Sequence, residues 1–446
     1  MKMFNSLLEK AAHIAGKIPS YERPKGNFTD PATHEYHMAM IFDYVAHCEI
    51  ALPVIIDKAK GSYLWDVTGK KYIDFMSSYG CANQGHCHPK VLEALTAQAQ
   101  KLPMNSIVTH HSVLGPASKH LTERFGYDKI LWMNSGAEAV DSAVLTARRW
   151  GYQTKKIPYG KATVLFPKNC YWGMISSSRS GTDDSTMREG AEPLATDAVC
   201  FDFVGYDDLG ALETKFKSNP NICAFIFEPI QGHAGNVHPK PGYYARIREL
   251  CDKYQVLMIS DEVQAGLGRT GKLFTCDWEG VKPDMITLGK ALGADFLPVS
   301  ALLANNEIMN LWPPGTHTST YAANTLACAV SVAAVDVLFD EKLIENAEKM
   351  GKIMEQEFNT YNYSFIIQKN CGRGLFGSLQ FKDYLGCLTV CTNMLEKGIM
   401  VLPSPGAYLK VMPPLCITEE EFRGALKILK ECLDQFNTKG KLGLVV

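Results

Sequence analysis

The stretch Val256-Leu-Met-Ile-Ser-Asp-Glu-Val-Gln264 constrains the fold of this chain more than any other. It is a short apolar run, strand-like in length, that stops abruptly at two carboxylates and a glutamine. Met285-Ile-Thr-Leu-Gly-Lys290 repeats the pattern and stops at a lysine. Short apolar runs bounded by polar or turn residues read as strands buried on both faces of a parallel sheet. In such sheets ligands are handled just past the carboxyl ends of the strands. An acid at one strand end and a lysine at another are what aldehyde-cofactor chemistry needs. The lysine amine condenses with an aldehyde, and the acid holds a proton on a ring nitrogen so that the ring accepts electrons. Either run alone is a weak sign, because a strand-end lysine is commonly just a solvated charge.

The pattern recurs upstream. Ile130-Leu-Trp-Met133 reads as a strand, followed by the small-residue turn Asn134-Ser-Gly-Ala-Glu138 and an amphipathic helix to about Trp150. A strand, a tight turn and a helix start form an anion site, because the free N–H groups and the helix dipole both favour phosphate. The bland alternative is a plain N-cap. Ala162-Thr-Val-Leu-Phe166 is followed by Asn169-Cys-Tyr-Trp-Gly173, whose aromatics suit either a flat ring or the core. Cys223-Ala-Phe-Ile-Phe227 runs into Glu228-Pro-Ile-Gln-Gly232. Strands and helices therefore alternate from about 130 to 290, which predicts a parallel sheet with helical crossovers. Five strand ends carry a candidate: Gly136, Tyr171, Glu228, Asp261 and Lys290. That convergence is the main argument for a single site.

At 446 residues the chain exceeds one small core. Residues 61–335 are expected to form a large domain, with 1–60 and 340–446 supplying a smaller α+β unit. Gly61 to Phe75 reads as a hairpin turning at Thr68-Gly69. A net charge of −2 and the lack of a basic run argue against nucleic acid. No apolar stretch approaches the ~20 residues of a membrane span. Most of the 14 cysteines lie in apolar runs, where cysteine acts as a small hydrophobe, so a reducing compartment is expected. The first ten residues lack an apolar core for a secretory signal, and no arginine precedes Arg23 as a transit peptide would require. The expectation is cytoplasmic.

Three features are decoys. Cys81, His86, Cys87 and His88 suggest zinc but lack paired ligand spacing, so no metal is expected and a helix-capping loop fits better. Gly266-Leu-Gly-Arg-Thr-Gly271 has the glycines of a dinucleotide fingerprint, but it neither follows a strand directly nor opens a helix. With Lys272 it comes close to a phosphate-binding loop, but Leu273 stands where a hydroxyl is needed. Loop geometry is the simpler reading of those glycines.

Taken as a set, Asn134-Ser-Gly-Ala-Glu-Ala139, Glu228-Pro-Ile-Gln-Gly232, Asp261 to Gly271, Lys282-Pro-Asp284, Leu288-Gly-Lys-Ala-Leu292 and Ser319-Thr-Tyr321 resemble the motif series of class III aminotransferases. These are pyridoxal-phosphate enzymes of fold type I. Within the class, Tyr63-Leu-Trp-Asp66, Asn83 to Pro89 and Pro413-Pro-Leu415 are most similar to ornithine aminotransferases. The resemblance spans about 50 to 430. It implies an α/β fold with a mostly parallel central sheet, a large cofactor-binding domain and a second, smaller α+β domain. It also implies a homodimer with composite sites. Lys290 would hold pyridoxal 5′-phosphate as a Schiff base and shuttle the proton between substrate and cofactor. Asp261 would pair with the pyridine nitrogen, Gln264 with the ring hydroxyl, and Tyr171 would stack on the ring beside Trp172. Ser135, Gly136 and Ala137 would hold the phosphate, Ser319 would also bind the cofactor, and Thr320 would reach the phosphate from the neighbouring subunit. Glu228 would support the wall near Gln264.

The substrate side departs from the pattern. Tyr79 is kept, but Met174 stands where the ornithine enzymes carry arginine after Trp-Gly. His233 replaces their acid, and Lys410 replaces the arginine before Pro-Pro-Leu. Their aromatic before Leu52-Pro53 falls near Glu49. The expectation is an aminotransferase moving a terminal amine to a 2-oxo acid, weak with ornithine and 2-oxoglutarate. It would prefer a monocarboxylic 2-oxo acid such as pyruvate, or an apolar amine beside Met174. Alternatives are a racemase or epimerase on the same scaffold, and a non-catalytic binding protein that retains the fold.

Overall fold

The computed structural model describes residues 24, 26, 28–46, 52, 54–105, 108–180, 201–401 and 403–441. The readings at the first ten residues and at Glu49 lie outside this range. The strands are β1 (Ile56–Lys60), β2 (Tyr63–Asp66), β3 (Lys71–Asp74), β4 (Lys129–Met133), β5 (Thr163–Pro167), β6 (Phe201–Val204), β7 (Ile222–Phe227), β8 (Leu257–Asp261), β9 (Met285–Leu288), β10 (Ser300–Ala304), β11 (Ile366–Asn370), β12 (Gly377–Phe381), β13 (Ile399–Met400), β14 (Pro403–Ser404) and β15 (Tyr408–Val411).

Seven of these form the central sheet, in the order β4-β10-β9-β8-β7-β5-β6. Pairing is parallel from β6 through β9, while β10 runs antiparallel to both β9 and β4. Because β10 alone is reversed, β4 points the same way as β9. The carboxyl ends of β4, β5, β7, β8 and β9 therefore share one edge. Strands β5, β7, β8 and β9 are buried along their whole length, as continuous apolar runs require of a sheet covered on both faces. Helices α1 (Gly136–Gln153) and α2 (Tyr243–Tyr254) bury apolar stripes against the sheet. Helix α3 (Thr325–Asp340) joins the largest core cluster together with β9, β10 and the C-terminal elements.

Two smaller sheets flank this one, β1-β2-β3-β13 and β11-β12-β15-β14. The predicted hairpin is β2–β3, and β13 adds to it in parallel, so the early hairpin is tied to a C-terminal strand. The loop after β7 is sewn to the other small sheet. Asn236 Nδ2 donates to the Gly377 carbonyl at 2.9 Å, and Asn370 Nδ2 donates to the Gly235 carbonyl at 3.2 Å. A Cβ on Gly235, which has φ +111°, would lie 2.4 Å from the Tyr408 ring, so glycine is required for that approach. This seam brings β15, and Lys410 on it, to the central strand ends.

Arg269, from the glycine-rich decoy loop, is fully buried and acts as a stitch. Its guanidinium donates to the Leu375 carbonyl (3.1 Å), Asn83 Oδ1 (2.7 Å) and Ser77 Oγ (3.2 Å). Gly268 and Gly271 adopt φ +88° and +82°, and a Cβ on Gly271 would strike the Glu348 backbone at 2.9 Å. The loop is structural, as its poor placement for phosphate binding suggested. His86 and His88 take carboxylate partners. His86 Nε2 is 2.8 Å from Asp74, its Nδ1 is 2.6 Å from Asp295, and His88 Nε2 is 3.2 Å from Glu341.

Candidate active site

Lys290 follows β9 directly and opens a single tight turn, Lys290–Gly293, with φ +44°. A non-glycine residue held in the left-handed region costs about 1–3 kcal/mol and is kept only where its surroundings enforce it. Lys290 lines a cavity of about 420 Å³ with Cys81, Asn134, Ser135, Gly136, Asp295 and Phe296. The phosphate-cradle candidates and the lysine candidate thus share one wall.

The cradle is a full capping box. The Glu138 N–H donates to Ser135 Oγ at 3.2 Å, and Glu138 Oε2 accepts from the N–H groups of Ser135 (2.7 Å) and Asn134 (3.0 Å). This leaves the N–H groups of Gly136 and Ala137, first in the helix, without an intrahelical acceptor. A Cβ on Gly136 would lie 2.7 Å from Val263 Cγ1, so only glycine lets the helix start sit this close to the end of β8.

Asp261 ends β8 and is buried. Thr287 Oγ1 donates to its Oδ1 at 2.9 Å, as does the Val263 N–H at 3.1 Å. Both bonds end on Oδ1, so Oδ2 keeps its acceptor capacity. Burial pushes this carboxyl above its ordinary range, while those bonds and the Lys290 charge oppose the shift. Thr287 is Asp261's direct register partner on β9, a link visible once the two apolar runs are aligned as neighbours. Glu228 ends β7. Its Oε1 accepts from the Tyr171 N–H at 2.9 Å, and its Oε2 from the Gly232 N–H at 3.0 Å. Burial, and then the nearby Asp261 charge, raise it to about 7. Gln264 Nε2 donates to the Tyr79 carbonyl at 2.9 Å, and its amide lies so close over Gly232 that a Cβ there would overlap it.

An electron-withdrawing ring with a phosphate tail fits these residues. The helix-start N–H groups would hold the phosphate, the spare oxygen of Asp261 the ring nitrogen, and the Lys290 amine the aldehyde.

Among the remaining candidates, Ser319 Oγ accepts from Asn134 Nδ2 at 2.8 Å within the same chain, and Thr320 is exposed. Tyr171 stacks on His233, with ring centroids 4.9 Å apart. Trp172 must be corrected. Its indole stacks on Phe166 at 5.2 Å and packs edge-on to Phe201, placing it in the core and not on the ring. Lys410 is partly buried on β15, and desolvation lowers its ammonium to about 8 against the pull of Glu228. Tyr79 and Met174 are exposed. The sequence reading missed Asp295 and Arg179. Asp295 follows Lys290 by five residues and carries no pattern of its own.

The family profile described as Aminotransferase class-III matches residues 44–433. The chain is a class-III aminotransferase. It is 43% identical over 390 residues to the mitochondrial ornithine aminotransferase of Drosophila melanogaster, covering 87% of this chain and 89% of that one. Against the mitochondrial ornithine aminotransferase of Rattus norvegicus it is 40% identical over 408 residues, 91% and 92% of the two chains. A structure of the ornithine aminotransferase from Toxoplasma gondii, described with PLP partly occupying its active site, aligns with TM-score 0.89 at 39% identity. That alignment covers 92% of this chain and 96% of the other. The acetylornithine aminotransferase from Elizabethkingia anophelis aligns with TM-score 0.81 at 39% identity, over 90% and 99%. This class-III aminotransferase is therefore a pyridoxal-phosphate enzyme of fold type I, taking an amino donor and a 2-oxo acid.

Proposed function

We propose that this aminotransferase moves a terminal primary amine to a 2-oxo acid whose α-carboxylate is met by Lys410. One observation carries this reading. The Lys410 side chain is partly buried within electrostatic reach of Glu228 and Lys290, and its ammonium has no hydrogen-bond or ion-pair partner among the described residues. A partly desolvated cation with no partner is a ready site for a carboxylate. The ornithine aminotransferases named above support a terminal amine as donor.

When bound, pyridoxal phosphate supplies an aldehyde for the amine and a ring that takes up the electron pair left on carbon. Lys290 Nζ is the attachment point and then the base that moves a proton at the substrate carbon. Asp261 Oδ2 keeps a proton on the ring nitrogen. The N–H groups of Gly136 and Ala137 grip the phosphate, and Tyr171 covers the ring. We further propose a homodimer in which Thr320 completes the partner's cradle, in a reducing, cytoplasmic compartment. The twelve described cysteines are all unpaired, which supports that compartment.

A panel of amines against 2-oxo acids tests the assignment. Losing one charge-assisted contact costs ~1.5–3 kcal/mol, or roughly ten- to a hundredfold. Lys410→Met should therefore lower kcat/KM by that factor for every 2-oxo acid that the enzyme accepts. An unchanged acceptor series would remove Lys410 from this role.

A further inference from the structure

Met174 stands where the resemblance implies a guanidinium, and the structure places another guanidinium beside it. Arg179 lies five residues further on, in the single helical turn Ser176–Ser180. Its backbone N–H donates to the Ile175 carbonyl at 2.9 Å, which sets it one turn above Ile175. Helical side chains lean toward the N-terminus, and this one reaches back until its Nη2 is 3.9 Å from Met174 Sδ. The turn is firmly based. Buried Ser178 accepts the Ile175 N–H at 2.9 Å and donates to the Ile175 carbonyl at 2.8 Å. Gly173, at φ +125°, lies so close to the α1 start that a Cβ would fall 2.4 Å from the Ala137 Cβ. The turn is thereby pressed against the phosphate cradle.

Three facts mark this guanidinium as poised for a ligand. Its Nε is buried with no hydrogen-bond partner, and among the described residues no carboxylate lies within ion-pair distance of the group. Its charge is felt by Tyr171, whose hydroxyl also lies within electrostatic range of Glu228 and Tyr79. Its sulfur contact is a weak acceptor, leaving the planar donor fork available to a carboxylate. A guanidinium suits that task where an ammonium does not.

We propose that Arg179 reads a carboxylate distant from the reacting carbon, taking over the place that Met174 vacates. The proposal rests on the reading above, with Lys410 holding the carboxylate next to that carbon. Together the two cations select dicarboxylic 2-oxo acids and donors whose amine and carboxylate lie at opposite ends. The expectation of a monocarboxylic partner weighed Met174, His233 and Lys410 but not Arg179.

Two measurements on the holoenzyme test this. The first is calorimetric binding of glutarate against pentanoate, which share a chain length and differ by one carboxylate. Glutarate should bind ten- to a hundredfold more tightly, and Arg179→Met should bring the ratio close to one. The second is the ratio of kcat/KM for 2-oxoglutarate to that for pyruvate, which Arg179→Met should lower at least tenfold. Adding Met174→Arg to Arg179→Met should restore both ratios, an outcome that loss of fold would not produce. Glutarate binding no tighter than pentanoate, or both 2-oxo acids losing turnover equally in Arg179→Met, would overturn the assignment. Failure of the Lys410 reading is separate, since it shows only in the Lys410→Met protein.

Discussion

Asp261 and Glu228 are both buried carboxylates within the field of Lys290, yet their hydrogen bonds give them different work. Glu228 spends one oxygen on the Tyr171 N–H and the other on the Gly232 N–H, so it is committed to holding two strand-end loops. An amide there keeps one acceptor and turns its N–H₂ toward the other backbone N–H, leaving one buried donor unpaired. Glu228→Gln should therefore cost ~1–2 kcal/mol, roughly tenfold in rate. In the proposed role Asp261 would turn its free oxygen to the ring nitrogen, where charge must be stabilised as the substrate proton leaves. Asp261→Asn should cost ~10²–10³ in kcat. Single-turnover rates of the amine half-reaction would compare the two, and equal losses would mean that the roles are misassigned. Asp261 and Lys290 were legible as strand-end groups, because a buried strand delivers the residues at and just past its end to a fixed edge. Trp172 was not. It sits past the strand end, where Gly173 at φ +125° turns the chain, and volume in the core claimed the indole. Arg179 was hidden for a related reason: its reach back to Met174 depends on one short turn that has no periodicity to read.

At the scale of elements, the turn after β9 holds Lys290, Ala294 and Asp295 all at positive φ. Such a turn needs an anchor, and His86 provides it by bridging Asp295 on the cavity wall to Asp74 at the end of β3. These two carboxylates bond the ring nitrogens, and the Gly61 backbone pairs with that of His86. Burial opposes charge on His86, but the hydrogen bonds and charges of Asp295 and Asp74 prevail and raise it to about 9. The sign follows from that direction. With a folded pKa above the ordinary 6.5, the clamp's stabilisation is complete below pH ~6.5 and is lost as pH rises through about 9. A shift of this size corresponds to roughly 3 kcal/mol. The melting temperature should therefore fall between pH 7 and 10, and His86→Gln should be less stable at pH 7 but flatter across that window. Calorimetry at several pH values would show it, and parallel curves for the two proteins would exclude the clamp. The histidine's neighbours in sequence suggested a metal, because residue type shows only which ligands are available. The pairing of β3 with the turn after β9 is a long-range fact that no local spacing encodes. The reversed direction of β10 was equally out of reach, since an apolar run reads the same both ways.

The whole molecule poses a different question, because one chain leaves the site open at the end where Thr320 is exposed and Tyr321 is 60% exposed. Ser319 is anchored to its own Asn134 beside the phosphate cradle, so the residues after it stand at the rim. If a second copy covers this rim, each Thr320 faces the other chain's cradle, and complementation can detect the exchange. Thr320→Glu should weaken cofactor binding by setting a carboxylate against a phosphate, a like-charge contact in a partly dry site. Lys290→Ala should abolish turnover in its own chain. Neither variant alone transaminates well. In a mixed dimer with sites shared across the interface, one site receives both defects and the other receives none, so activity returns when the two are unfolded together and reassembled. If Thr320 served its own chain, every site in the mixture would keep one defect and nothing would return. Light scattering on the unmodified protein sets the frame, since an active monomer would already exclude a shared site. The rescue then separates a dimer that merely associates from one in which each chain finishes the other's phosphate grip.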